Sequence, residues 1–362
     1  MNQGSELMAR RAFVWVGIAI LVIIPVLLLW VAWQVFLVLF AGVLFAIFLR
    51  TISEWLSSKT KLSNGWSLAI VIVGLILLTA FSFWYLAPSV SEQISQLIKT
   101  LPASIEKLRA TLGAYAWGRS ILAQIPDAGA MISNGGAILT RISGIFSSTL
   151  GAIVDFALVL FVGIYGAAEP RLYIDGMIRL VPLAGRQRAR EVFDAVGYTL
   201  RWWLIGRVAS MILVGILTSL GLWLLGVPLA LTFGLLAALL DFIPNIGPIV
   251  AALPAILLAL TQGPDQAIYV TLLYVGIQNF EGFLLTPLIQ ERTVSLPPVL
   301  TLVGQVVLGV LAGGLGLALA SPLIAVLLVL IKMLYVNDLL GDPMKVDGET
   351  PAPALAAGRQ KK

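Results

Sequence analysis

Asp241 lies in the middle of a long apolar run, within the stretch Asp241-Phe242-Ile243-Pro244-Asn245-Ile246-Gly247-Pro248. A carboxylate at a break in a hydrophobic segment can take up a proton or a cation. The helix ends exposed on either side can orient a polar solute. Alternatively, Asp241 only caps the half-helix that follows. A charge at mid-span costs roughly 2.5–3.5 kcal/mol on insertion scales and each Leu or Ile returns about 0.3–0.6. One Asp is therefore tolerated, and its placement at the break is what marks it. Gln278 and Glu281, three residues apart, share a helix face. A polar stripe on an apolar span belongs against protein or a water path, although Glu281 could equally serve as a structural partner for Arg292. Asn245 and Gln305 are neutral candidates for touching a polar solute. Asp155, about one turn into another apolar run, is a secondary candidate with an interfacial reading beside it.

The elements that hold these residues must be membrane spans. The chain has 362 residues, 59% hydrophobic and 11% charged, with 34 glycines and a mean hydropathy of +1.00. Soluble domains sit nearer 45–50% apolar and about 25% charged, so a soluble enzyme, a disordered chain and a coiled coil are all excluded. The absence of Cys and His removes thiol and imidazole chemistry and most metal-ligand sets. No metal and no organic cofactor is expected. There is also no Gly-x-Gly-Asp, Gly-x-Ser-x-Gly or P-loop lysine motif, so an enzyme and an ATP-driven pump are not expected either.

The spans follow from the apolar runs. Residues 1–11 form a short N-terminus and residues 12–87 three spans. The run Ala12–Leu49 is too long for one crossing and turns near Trp30–Gln34, with Pro25 kinking its first half. Residues 88–146 are far more polar. Their apolar positions from Val90 to Leu112 recur at helical spacing, which predicts an amphipathic helix outside the bilayer. A fourth span covers 147–168, and an Arg-rich segment covers 169–200. Residues 201–335 form the core, and the Pro-containing end, 341–362, reads as a disordered tail. Tryptophans near the span ends act as interfacial anchors, and Arg201 and Arg207 as residues that hold the cytoplasmic boundary or bind lipid head groups. With both termini inside, 18 of the 23 Lys and Arg fall on cytoplasmic segments. The net charge of +5 then reflects orientation and anionic lipid contact, with no nucleic-acid partner expected.

Two segments inside the core are interrupted, 228–260 at Ile243–Gly247 and 296–330 at Gly313–Leu317. Offset by 70 residues, Pro228 corresponds to Pro298 and Gly234 to Gly304. Paired interruptions mark transporter binding sites, and irregular backbone survives at depth only where protein buries it or water reaches it. Each is either a re-entrant hairpin, the two forming an inverted pair, or two short tilted spans. Gly309-x-x-x-Gly313 provides close packing or a hinge. The fold class is thus an all-α integral membrane protein of about eight membrane segments. The pathway candidates are Asp241, Pro244, Asn245, Gly247, Pro248, Gln278, Glu281, Gln305 and Gly313.

The Asp241–Pro248 stretch resembles the signature of the AI-2E family, the autoinducer-2 exporter-like permeases. Also similar are Gln278, Glu281, Pro287 and Leu288-Ile289, then Ser295-Leu296-Pro297-Pro298. The glycines Gly309, Gly313 and Gly316, Pro322, and the closing Tyr335–Asp342 match as well. The chain departs from the pattern at Phe283, where many members have Asn, and at Arg207, where Gln is frequent. The resemblance implies a bacterial inner-membrane permease that exports a small polar signal. Relatives that resemble sodium(lithium)/proton antiporters point to Na+ or H+ as coupling ion, and the family likeness implies a homo-oligomer. A scaffold or helper subunit that transports nothing is the reading from another class.

Overall fold

The computed structural model describes residues 33–82, 84, 149–285 and 297–342. These residues are helical almost throughout and contain no strand. The first span within 12–32, the Val90–Leu112 helix, Arg292 and the tail beyond residue 342 lie outside them. Helix α1 covers Trp33–Thr60 and α2 covers Asn64–Ser82. Helix α3, Thr149–Ala168, is followed after a 90° bend by α4, Pro170–Arg179. Among the described residues, four helices are long and apolar enough to cross a membrane, or five if this bent pair counts as one. The chain is an all-α membrane protein, as its composition requires.

The scaffold of the core is α5, Arg186–Leu224, an unbroken helix of 39 residues, about 58 Å long. Its buried positions Trp203, Gly206, Ser210, Val214, Thr218 and Leu222 recur every three or four residues and form one inward stripe. Ile212, Ile216 and Leu220 are exposed on the opposite face, the apolar exterior that a bilayer requires. The N-terminal turns carry the Arg-rich sequence. There Val192 and Ala195 pack on Val329 and Met333 near the other end of the chain. Arg201 donates to Glu54 at 2.8 Å, and Arg188 pairs with Asp338 at 2.9 Å. The basic ends of α1, α5 and the last helix therefore share one end of the molecule.

The first interrupted segment comprises α6, Ala230–Leu240, and α7, Ile246–Gln262. They are about 16 and 25 Å long, shorter than a hydrocarbon core of about 30 Å. Between them Ile243 N–H bonds to Leu240 C=O and Gly247 N–H to Ile243 C=O. Asn245 supplies the left-handed residue, with φ +65°. Gly247 sits so close to the preceding arm that a Cβ there would lie 1.8 Å from the Leu240 carbonyl oxygen. Helix α8, Pro264–Phe280, packs back on α7, whose Ala251, Ala255 and Ala259 are completely buried and allow close approach. It ends in a π-helical turn over Glu281–Leu285.

The second interrupted segment, α9, covers Pro298–Leu330 and leaves helical geometry at Ala312 and Gly313, where φ at Gly313 is +59°. It is a folded hairpin. Leu317 lies against Gly309 and Ile324 against Gly304, and a Cβ on Gly316 would fall 1.9 Å from the Leu308 carbonyl oxygen. The entering arm, 298–311, is about 21 Å long. The return arm continues through a π-helical stretch, Ile331–Leu339, and is long enough to cross. Gly313 is the exposed tip, with nothing within 4 Å of the place a Cβ would take, so it is not a packing glycine. The correspondence of Gly234 with Gly304 does not extend to packing. Gly234 is pressed against Ser219 and Gly215 of α5, whereas Gly304 receives Ile324 of its own hairpin.

Candidate functional site

The interruptions come together beside the middle of α5. At the first, the chain leaves α6 at Asp241, which is fully buried and whose N–H still bonds to Ala237 C=O. Arg207 and Ser210, one turn apart on α5, face it. Arg207 Nη2 is 3.1 Å from Asp241 Oδ1, and Arg207 Nη1 is 3.3 Å from Glu281 Oε1. Ser210 Oγ lies 3.0 Å from Asp241 Oδ2 and 2.5 Å from Glu281 Oε1. Gln278 Nε2 donates to Glu281 Oε2 at 3.1 Å, so the shared helix face read from their spacing is realised. Glu281 reaches the cluster because the helix widens into its π turn there, a distortion frequent at functional sites.

The second hairpin closes the other side. Gln305 is fully buried, and its Nε2 donates to the Pro244 carbonyl oxygen at 2.8 Å. Phe242, next to Asp241, packs with Ala312, Leu315 and Leu319 of α9 and meets Trp203 edge-on at 6.0 Å. Two sequence breaks 70 residues apart are thus tied by a hydrogen bond and share one apolar cluster. Some polar atoms inside remain without a hydrogen-bond partner: Arg207 Nε and Nη2, Asp241 Oδ1 and Gln305 Oε1. Arg207 Nη2 and Asp241 Oδ1 still face each other as an ion pair at 3.1 Å, whereas Arg207 Nε and Gln305 Oε1 carry the cost of a buried polar atom. Gln278, at the edge of the cluster, is exposed.

Of the residues selected from sequence, Asp241, Pro244, Gln278, Glu281 and Gln305 are brought together. Gly247 and Pro248 shape the turn beneath them. Asn245 holds the turn through its backbone and exposes its side chain, and Gly313 occupies the other tip. Asp155 does not join them; its carboxylate accepts from Gln34 Nε2 at 3.2 Å on an exposed surface. Arg207 is no boundary residue. Six residues beyond Arg201, about 9 Å deeper along the helix, its side chain is 11% exposed and neutralises the carboxylates. Glu281 is therefore paired with Arg207. Trp203 is buried against Phe242 and is not an interfacial anchor, unlike exposed Trp55, Trp66, Trp84 and Trp223. Ser210 was not selected, because one serine in a membrane helix gives no signal of its own.

A separate groove between α5 and α6, about 680 Å³, is lined by Met211, Ile212, Ile216, Trp223 and Leu231 with Ser219. Its apolar lining suits acyl chains and provides no path for a polar solute.

A family model described as AI-2E family transporter matches residues 18–335. The candidate transport protein MT0215 of Mycobacterium tuberculosis (strain CDC 1551 / Oshkosh) is 31% identical over 327 residues, 83% of this chain and 84% of that one. The candidate transport protein YrrI of Bacillus subtilis (strain 168) is 27% identical over 88% of this chain and 95% of its own. The AI-2 transport protein TqsA of Escherichia coli (strain K12) is 27% identical over 71% of this chain and 72% of its own.

Proposed function

The chain belongs to the AI-2E transporter family, and on that premise we propose that it is a secondary permease passing a small polar solute between its two hairpins. The observation that carries this reading is the junction of both interruptions around Arg207, Asp241, Glu281 and Gln305. A scaffold would have no use for two costly breaks in helical geometry that converge on buried charge. The name of TqsA favours an autoinducer-2-like signal as solute, and the resemblance to exporter-like permeases favours its outward movement.

The setting we propose is the bacterial inner membrane, with both termini cytoplasmic and residues 88–146 outside. The ties Arg201–Glu54 and Arg188–Asp338 support it, since they gather basic segments at one end, where the positive-inside rule places the cytoplasm. The short arms favour re-entrant hairpins entering from opposite sides. Lipids and further copies of the chain complete the assembly in this reading.

No ATP-binding motif is visible, so coupling falls to an ion gradient. The paired carboxylates favour a second reading, monovalent cation/proton exchange by the same site. Purified protein in liposomes, screened for solute flux with and without proton and sodium gradients, tests both. Solute movement driven by a gradient supports the permease. Ion exchange without any solute supports the antiporter, and verified folded protein with no flux of either kind returns the scaffold.

A further inference from the structure

Charge and hydrogen can be counted inside the buried cluster. Asp241 and Glu281 carry two negative charges when ionised, and Arg207 one positive. Helices α6, α7 and α9 contain no ionisable residue, and from α9 the amide of Gln305 reaches the first turn. Among the described residues, the charged groups facing one another from α5, the first turn and α8 are Arg207, Asp241 and Glu281, with an excess of one negative charge.

Ser210 makes the count sharper. Its single hydroxyl hydrogen can serve either Asp241 Oδ2 at 3.0 Å or Glu281 Oε1 at 2.5 Å, not both. With both carboxyls ionised, one of these contacts would set lone pairs against lone pairs. The geometry is satisfied when one carboxyl holds a proton and donates it to Ser210 Oγ while the serine donates onward to the other. The 2.5 Å contact has the length of a charge-assisted O–H···O bond. Asp241 Oδ1, fully buried and without a hydrogen-bond donor, faces the guanidinium from 3.1 Å.

The geometry points to Arg207 as a tethered cation standing where an inorganic cation would otherwise sit among Asp241, Glu281, Ser210 and Gln278, so that the site exchanges one proton and no sodium or lithium. A free cation entering the cluster would meet a guanidinium already within 3.3 Å of both carboxylates, and like charges at that range repel strongly in a dry interior. With a neutral side chain at position 207 the excess becomes two negative charges. Oxygens from Asp241, Glu281 and Ser210 then surround the space it leaves, and hard cations take oxygen ligands of this kind. The proposal rests on the permease reading only for its consequence in coupling. Ion occupancy is measured without flux, so either can fail alone.

The experiment follows thermal unfolding of purified protein titrated with NaCl or LiCl against choline chloride at matched ionic strength, at pH 6 and pH 8. Wild type and Arg207→Lys should show no response specific to sodium or lithium. Arg207→Gln should gain a saturable rise in midpoint of about 2–4 °C, weaker at pH 6 where protons compete. A saturable sodium response in wild type overturns the proposal, as does its absence in Arg207→Gln that is folded by circular dichroism and gel filtration. Infrared spectroscopy decides the proton independently, and does so even if Arg207→Gln fails to fold. Wild type at neutral pH should show the C=O stretch of one protonated buried carboxyl. That band should vanish in Asp241→Asn and in Glu281→Gln, where the remaining carboxylate pairs with Arg207. Absence of the band in wild type overturns the proposal.

Discussion

Gln305 on the entering arm of the second hairpin donates its amide hydrogen to the carbonyl of Pro244 at the turn of the first, over 2.8 Å. The same carbonyl also accepts the Ile246 N–H within the turn, so the glutamine occupies its second lone pair. The two interruptions are thereby one unit: neither turn can shift without breaking or carrying the other.

Replacing Gln305 with Leu removes this tie, while the Pro244 carbonyl keeps the Ile246 N–H as its donor. The expected loss is about 0.5–1.5 kcal/mol, read as a lowered unfolding midpoint. Solute flux in liposomes should fall together with it. Gln305→Glu cannot donate when ionised, and should reproduce the loss.

Asp241→Asn alone leaves Arg207 paired with Glu281, so the fold should survive with a change of about 1 kcal/mol, while proton-linked flux is lost. The double variant Asp241→Asn/Glu281→Gln strands the guanidinium among apolar helices and should cost about 3–5 kcal/mol. A double-mutant cycle by chemical denaturation checks the difference. Equal, additive losses from the two single substitutions would contradict the shared pairing.

At the molecular end the contrast should be plain. Glu54 bridges Arg50 and Arg201 with all three side chains at least a third exposed. Glu54→Gln should therefore change stability by no more than about 1 kcal/mol, with the small effect fading further in high salt.

Gly247→Ala and Gly316→Ala each drive a methyl into a carbonyl oxygen, at 1.8 Å and 1.9 Å. Backbone cannot yield as a flexible side chain can, so each should cost at least about 1–3 kcal/mol and reduce the yield of folded protein. Gly314→Ala, with nothing within 4 Å, is the matched control and should be silent. Fluorescence-detected gel filtration of the three variants gives the comparison.

Single cysteines at Asn245 and Leu315 report the side from which each turn is reached, against a background free of native cysteine. Opposed re-entrant hairpins predict that both positions are modified by small polar reagents and protected by occupancy of the pathway. Labelling of each only at a bilayer surface, unaffected by solute, indicates paired short spans.

Much of this was legible because polar residues are conspicuous in apolar surroundings. Asp241, Gln278, Glu281 and Gln305 each interrupt a hydrophobic run, and Pro244 and Gly313 interrupt helical geometry itself. Arg207 was hidden by its neighbours. It closes a run of seven arginines, and its place in that run reads as the cytoplasmic boundary, although the apolar stripe from Val192 to Trp203 leads into the next span. Ser210 was hidden by its chemistry, since a lone hydroxyl is common in membrane helices and gains meaning only from the two carboxylates it touches. Asp155 shows the converse: a charge in an apolar run is equally conspicuous where, among the described residues, it accepts from Gln34 on an exposed surface away from the cluster.

The uninterrupted length of α5 has a mechanical meaning. Arg188, fastened to Asp338, and the pair Arg207 and Ser210 ride on one rod of 39 residues, with about 28 Å between the fastening and the pair. A rod without a joint transmits tilt over its whole length. Any rocking at the basic end therefore swings guanidinium and hydroxyl together across the two carboxyls, as a lever swings its far tip.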